Sequence, residues 1–143
     1  RLVWAGHGAR TSPDAHAYVA EQLDVPVLSL ALQDERLYHL DTALFPIDDS
    51  VAYRPEAFDD RSRRILERRY PDAVLADAHD AAVLGLNAVV IGPTVVLPAG
   101  TRHLRSKLRS RGFETVEVDL SELRKAGGSV KCCTLVLDGV VAS

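Results

Sequence analysis

Two stretches of the chain carry the same order of signals, and that self-similarity restricts the fold more than any other feature. Residues 37–47 form an apolar run closing at Pro46 and Asp48-Asp49. They are followed by a short strand over 51–53, a helix over 60–69 capped by Asp59-Asp60, and a strand over 73–76. Residues 86–91 and 94–97 read as strands paired across a turn at Gly92-Pro93. A helix over 101–111 ended by Gly112 and a strand over 113–118 come after them. The order strand-strand-helix-strand therefore occurs twice with a period of roughly 45 residues, the mark of units that cannot close a core alone. Partial units flank the two copies. Upstream, residues 2–5 form a strand ending at the turn Gly6-His7-Gly8. A helix follows, with Ser12 as N-cap, Pro13 in its first position and Ala15, Tyr18, Val19 and Leu23 at helical spacing, and then a strand over 25–32 with Pro26 near its start. Downstream, one helical turn over 121–125 leads to Gly127-Gly128. The fold class is α/β.

Composition excludes several function classes. At 143 residues the chain suits one domain, spanning 1–143. Its 17 basic and 20 acidic side chains give a net charge of −3, so the basic footprint of a nucleic-acid binder is missing. No apolar run approaches the ~20 residues of a membrane helix. The two cysteines are adjacent and cannot build a disulfide framework, which makes the cytoplasm the expected compartment. The first residues, Arg1-Leu2-Val3-Trp4-Ala5-Gly6, read as the inside of a strand, as expected for a piece of a longer protein.

Chemistry concentrates in Gly127-Gly128-Ser129-Val130-Lys131-Cys132-Cys133-Thr134, ahead of an apolar strand-like tail. The glycines would let backbone approach a substrate while a thiolate at the strand's mouth attacked an electrophilic carbon. The competing reading is a pair of buried thiols packing as small apolar groups. Zinc binding by Cys132, Cys133 and a histidine is disfavoured, because adjacent cysteines are poor partners in a tetrahedral site. Arg61, Arg63, Arg64, Arg68 and Arg69 read as the solvated face of their helix. His7, His16, His79 and His103 read as surface residues.

Several segments together resemble the guanidino-group modifying enzymes: dimethylarginine dimethylaminohydrolases, arginine deiminases and amidinotransferases. Gly6-His7-Gly8-Ala9-Arg10-Thr11-Ser12 is similar to the family's segment ending in Arg-Thr-Asn/Ser. His39-Leu40-Asp41-Thr42 is similar to its histidine motif, and Leu86-Asn87-Ala88-Val89-Val90 with Leu97-Pro98-Ala99-Gly100 to its next unit. Gly127-Gly128 through Cys132 completes the order. The resemblance implies a five-bladed α/β propeller, the pentein fold, of which this chain is the C-terminal part. An acidic Glu-Gly-Gly-Asp-like motif would lie just upstream, in the missing N-terminal part of the same protein.

The implied activity is a thiol-dependent hydrolase that cleaves a guanidino C–N bond of arginine or an N-methylated arginine and releases citrulline. No metal or organic cofactor is implied. By the same resemblance Cys132 is the nucleophile, because the family's thiol stands two residues before a Ser or Thr, as in Cys132-Cys133-Thr134. Strand alternation agrees, turning Cys133 away as a core residue or bystander. His39 is the implied general acid and base. Asp41 shares its strand face at i, i+2 and would bind the guanidinium nitrogens. Arg10 either pairs with the substrate α-carboxylate or is a surface arginine at a helix start. Ala9 stands where arginine deiminases tend to have Glu, and Asp41 where dimethylarginine enzymes often have Lys, so the guanidino substrate stays open, with the dimethylarginine type favoured. Amidino transfer and a non-catalytic binding propeller are the alternatives.

Overall fold

The computed structural model describes residues 2–135. Among the described residues the strands form three separate sheets rather than a closed one. The first is a parallel pair, β1 (Val3–His7) and β2 (Val27–Ala31), joined by helix α1 (Asp14–Leu23). The second holds β3 (Leu44–Ile47), β4 (Ser50–Tyr53) and β5 (Val74–Leu75), and the third β6 (Val89–Ile91), β7 (Thr94–Pro98) and β8 (Glu114–Val118). Each three-stranded sheet pairs an antiparallel hairpin with a parallel strand reached through a crossover helix. These helices are α3 (Asp60–Arg69) and α5 (His103–Ser110). The repeated order read from the sequence is thus present twice. The β1–α1–β2 crossover matches the second half of such a unit.

The cores explain why the units come together. One cluster joins Phe45, Ile47 and Ala52 of the second sheet to Val95 and Leu97 of the third, with Leu104 and Leu108 of α5 beneath. The other joins Leu30 of β2 to Val51 and Tyr53 of β4 and Leu66 of α3. Side chains alternate along a strand, so β4 gives Ala52 to one core and its neighbours Val51 and Tyr53 to the other. All four of its residues are buried.

Local chemistry sets most boundaries. Asp59 caps α3, accepting from the Ser62 N–H at 2.8 Å, and Gly112 takes φ +91° after α5. The α1 boundary lies one residue later than expected: Asp14 is its first residue, and the Ser12 hydroxyl accepts from the Asp14 N–H at 3.3 Å. Three readings need larger correction. The apolar run 37–47 is broken by a one-turn helix, α2 (Leu40–Ala43), before β3 begins. The Thr42 hydroxyl closes that turn by donating to the His39 carbonyl at 2.7 Å. Residues 86–88 are a buried connection rather than strand, and α4 (Ala78–Ala82) was not anticipated. His16 is buried, its Nε2 facing the Gly6 carbonyl at 3.2 Å and its Nδ1 the Ser29 hydroxyl at 2.8 Å. A carbonyl can only accept, so Nε2 carries the proton and Nδ1 accepts from Ser29. This histidine ties α1 to the first sheet.

Candidate active site

Cys132 lies in a 3-10 turn over Lys131–Cys133, not on a strand, so strand alternation does not separate the two thiols. Both cysteines are exposed. Cys133 is no core residue: its thiol faces the Val130 carbonyl at 3.2 Å. The Cys132 Sγ lies 3.8 Å from the Asp41 Oδ2. The glycine pair before the turn has steric reasons. A Cβ on Gly128 would stand 3.2 Å from the Cys132 Cβ. Gly127 has φ +81°, and a Cβ there would meet the Tyr38 hydroxyl at 3.3 Å.

Asp41 and His39 do not share a strand face. His39 is the extended residue before α2 and Asp41 lies inside its turn, so the helix start, not a pleat, sets their relation. Asp41 is half-buried and His39 exposed. Two residues without an assigned role hold these groups together. Tyr38 is the common neighbour: its ring meets His39 edge-on at 5.1 Å and lies under the Arg10 guanidinium at 5.4 Å. Burial first, then the charges of Cys132 and Asp41, pushes the Tyr38 phenol above its ordinary range, with Arg10 opposing. Tyr38 therefore stays a neutral hydroxyl at physiological pH. Asn87, fully buried, donates from Nδ2 to the Asp41 carbonyl at 3.1 Å and to Oδ2 at 3.0 Å, and its Oδ1 accepts from the Cys132 N–H at 3.1 Å. The sequence did flag Asn87 as part of a motif, and Tyr38 stands directly before His39, but neither signal gave a role.

Arg10, His39, Asp41 and Cys132 thus gather around Tyr38 and Asn87. Behind Tyr38 a cavity of 310 Å³ is lined by Leu37, Arg54, Leu84, Arg124 and Gly127, and Asp41 and Lys131 border another of 210 Å³. The remaining histidines lie elsewhere. His7 is half-buried against His16, with ring centroids 5.6 Å apart, and the exposed His79 faces the Gly100 carbonyl. His103 pairs with Asp77, next to Asp80, in a group whose carboxylates cap α4 and α5.

An exposed thiol against a carboxylate, with histidine and arginine on a shared tyrosine, is a set that can hold a cation and attack it. Known proteins similar to the chain fall in one group. A dimethylarginine dimethylaminohydrolase of Mycobacterium tuberculosis is 53% identical over 134 residues, 93% of this chain and 44% of that protein. The bifunctional arginine dihydrolase/ornithine cyclodeaminase ArgZ of Synechocystis is 41% identical over 138 residues, 94% of this chain and 20% of that protein. The solved N-terminal domain of ArgZ, a Cys-to-Ser variant bound to substrate, matches with a TM-score of 0.87 at 41% identity, over 92% of this chain and 50% of that one. The chain belongs to the guanidino-group modifying superfamily. It spans less than half the length of the two curated relatives. The likeness in fold alone extends to SxtG, an amidinotransferase from Microseira wollei, with a TM-score of 0.80 at 19% identity. No protein-family model matches the chain. Among the described residues no helix is long and apolar enough to cross a membrane.

Proposed function

We propose that residues 1–143 are the C-terminal part of one catalytic domain, a five-bladed α/β propeller whose earlier units lie in the rest of the polypeptide. On this reading the whole protein is a cytoplasmic, thiol-dependent hydrolase that converts arginine or an N-methylated arginine to citrulline. The observation that carries the reading is the Cys132 thiol set against the Asp41 carboxylate, with Sγ and Oδ2 3.8 Å apart.

A guanidinium carbon is a poor electrophile because three nitrogens share its charge, so attack needs a strong nucleophile and groups that fix the cation. Asp41 accepts hydrogen bonds from the guanidinium N–H groups and sets the carbon before Cys132. The thiolate adds to that carbon, the C–N bond to the departing nitrogen breaks, and His39 gives that nitrogen its proton. The product is a covalent thiouronium. Water, giving one proton to His39, then attacks the same carbon; the C–S bond breaks with its electron pair returning to the thiolate, the second proton of the water leaves to solvent, and the ureido group of citrulline remains. Arg10 pairs with the substrate α-carboxylate. Its guanidinium carbon lies 5.4 Å from the Tyr38 ring centroid, and its N–H groups are the donors of that bidentate contact. Further carboxylates around the guanidinium would come from the upstream part.

The relatives support both substrate classes. The identity of 53% favours dimethylarginine, while ArgZ, and the binary complex of the related AgrE with L-arginine, favour arginine. A citrulline-release assay on the full-length protein, offered arginine and asymmetric dimethylarginine separately, decides between them. Cys132→Ser is expected to abolish release while leaving the fold intact, since the two side chains are close in size. Citrulline from neither substrate, or near-parental rates in Cys132→Ser, would overturn the reading.

A further inference from the structure

We propose that Asn87 is a positioning residue that holds the nucleophile and the guanidinium-binding carboxylate in one fixed geometry. This rests on the roles given above to Cys132 and Asp41. Asn87 sits in the buried connection between α4 and β6, and its side chain is 0% exposed. Its partners lie far off in sequence on both sides, Asp41 by 46 residues and Cys132 by 45. Its main chain joins in as well, its carbonyl accepting from the Lys131 N–H at 3.1 Å and its N–H donating to Leu84 at 3.0 Å.

Chemistry fixes which way the amide points. The Cys132 N–H needs an acceptor and the Asp41 carboxylate needs a donor, so a flipped amide would lose both bonds. One NH₂ group reaches the Asp41 main-chain oxygen and Oδ2, which pins the carboxylate over its own backbone and leaves Oδ1 for a cation. Oδ1 of Asn87 fixes the turn that carries the thiol. A residue that only secured the Cys132 turn would need the acceptor alone. The donor arm has no such use; it orients Asp41. Burial keeps this line stiff, because an amide without water has no alternative partners.

The test uses the full-length protein, with Cys132→Ser and Asp41→Asn beside two variants of Asn87. Asn87→Asp keeps the shape and the acceptor for the Cys132 N–H but sets an oxygen against the Asp41 carboxylate. A facing carboxylate pair shares a proton as pH falls, so the deficit of Asn87→Asp relative to the parent should shrink towards about pH 5.5. Near pH 8 its KM should rise by about tenfold. Asn87→Leu, similar in volume, frees both arms and should lower kcat by roughly a hundredfold with no recovery in acid. Folded Asn87 variants within about threefold of the parent, or an Asn87→Asp deficit that is flat with pH, would overturn the proposal. Should Asn87→Leu fail to fold, the isosteric Asn87→Asp decides alone. Activity retained by Cys132→Ser or Asp41→Asn would instead break the assignment on which the proposal rests. Inactive controls beside unaffected Asn87 variants would break the proposal only.

Discussion

Two clusters in this molecule set an aspartate against N–H donors with a histidine nearby, and only one leaves anything over for chemistry. Asp80 is fully buried, and its two oxygens accept from the Arg102 N–H at 2.7 Å and the Leu104 N–H at 2.6 Å. Asp77 accepts from the Asp80 N–H at 2.8 Å and pairs with His103. That backbone N–H first, then His103, holds the Asp77 carboxyl below its ordinary range against the opposing effect of burial. These carboxylates are taken up by the ends of α4 and α5. Around Asp41 the balance differs: Asn87 engages Oδ2, and an exposed thiol stands beside it. The residue types are nearly the same in both places. What separates a brace from a reaction centre is how much hydrogen-bonding capacity the protein itself leaves unused.

Exchanging the residues should make the contrast measurable. The largest effect belongs to Asp41→Asn in the full-length protein, where kcat/KM should fall by about a thousandfold, or ~4 kcal/mol. Its melting temperature should move little; a large fall in Tm with modest kinetic change would make Asp41 a brace like Asp80. Asp80→Ala should show the opposite pattern. It orphans two N–H groups at the start of α5 and should lower stability by about 3 kcal/mol in denaturant titration, with the turnover of folded molecules unchanged. Asp59→Ala, a cap on a more open helix start, should cost about 1 kcal/mol. The Ser62 side chain and N–H hold the Asp59 carboxyl below its ordinary 3.8. A depressed carboxyl contributes stability that is complete above that ordinary value and is lost as pH falls through the lower folded one. The difference between Asp59→Ala and the parent should therefore close in acid; a constant difference down to about pH 2 would assign Asp59 a packing role.

The repeat was legible because its signals are local. Asp59 stands next to the helix it caps, Gly112 follows the helix it ends, and the Gly92-Pro93 turn separates the paired strands β6 and β7. Elements held by distant or very short contacts were not legible. Helix α2 exists because the Thr42 hydroxyl reaches back three residues, inside a stretch whose apolar pattern suits a strand equally well. Helix α4 has five residues, too few to show a helical period. His16 reads as a surface residue until β2 brings Ser29 beneath it. The same division runs through the site. Motif residues could be named from their neighbours in sequence, whereas the placing of Cys132 in a 3-10 turn and the two-armed bonding of Asn87 depend on segments some 45 and 46 residues away.

Strand β4 has one further consequence. Because Ala52 faces one core and Val51 and Tyr53 the other, the strand is a wall common to two rooms. Neither core can open without uncovering a face that the other still needs, so neighbouring units lose structure together rather than one by one. Recombination among relatives meets the same restriction. A transplanted unit must match the neighbour on each of its sides at once.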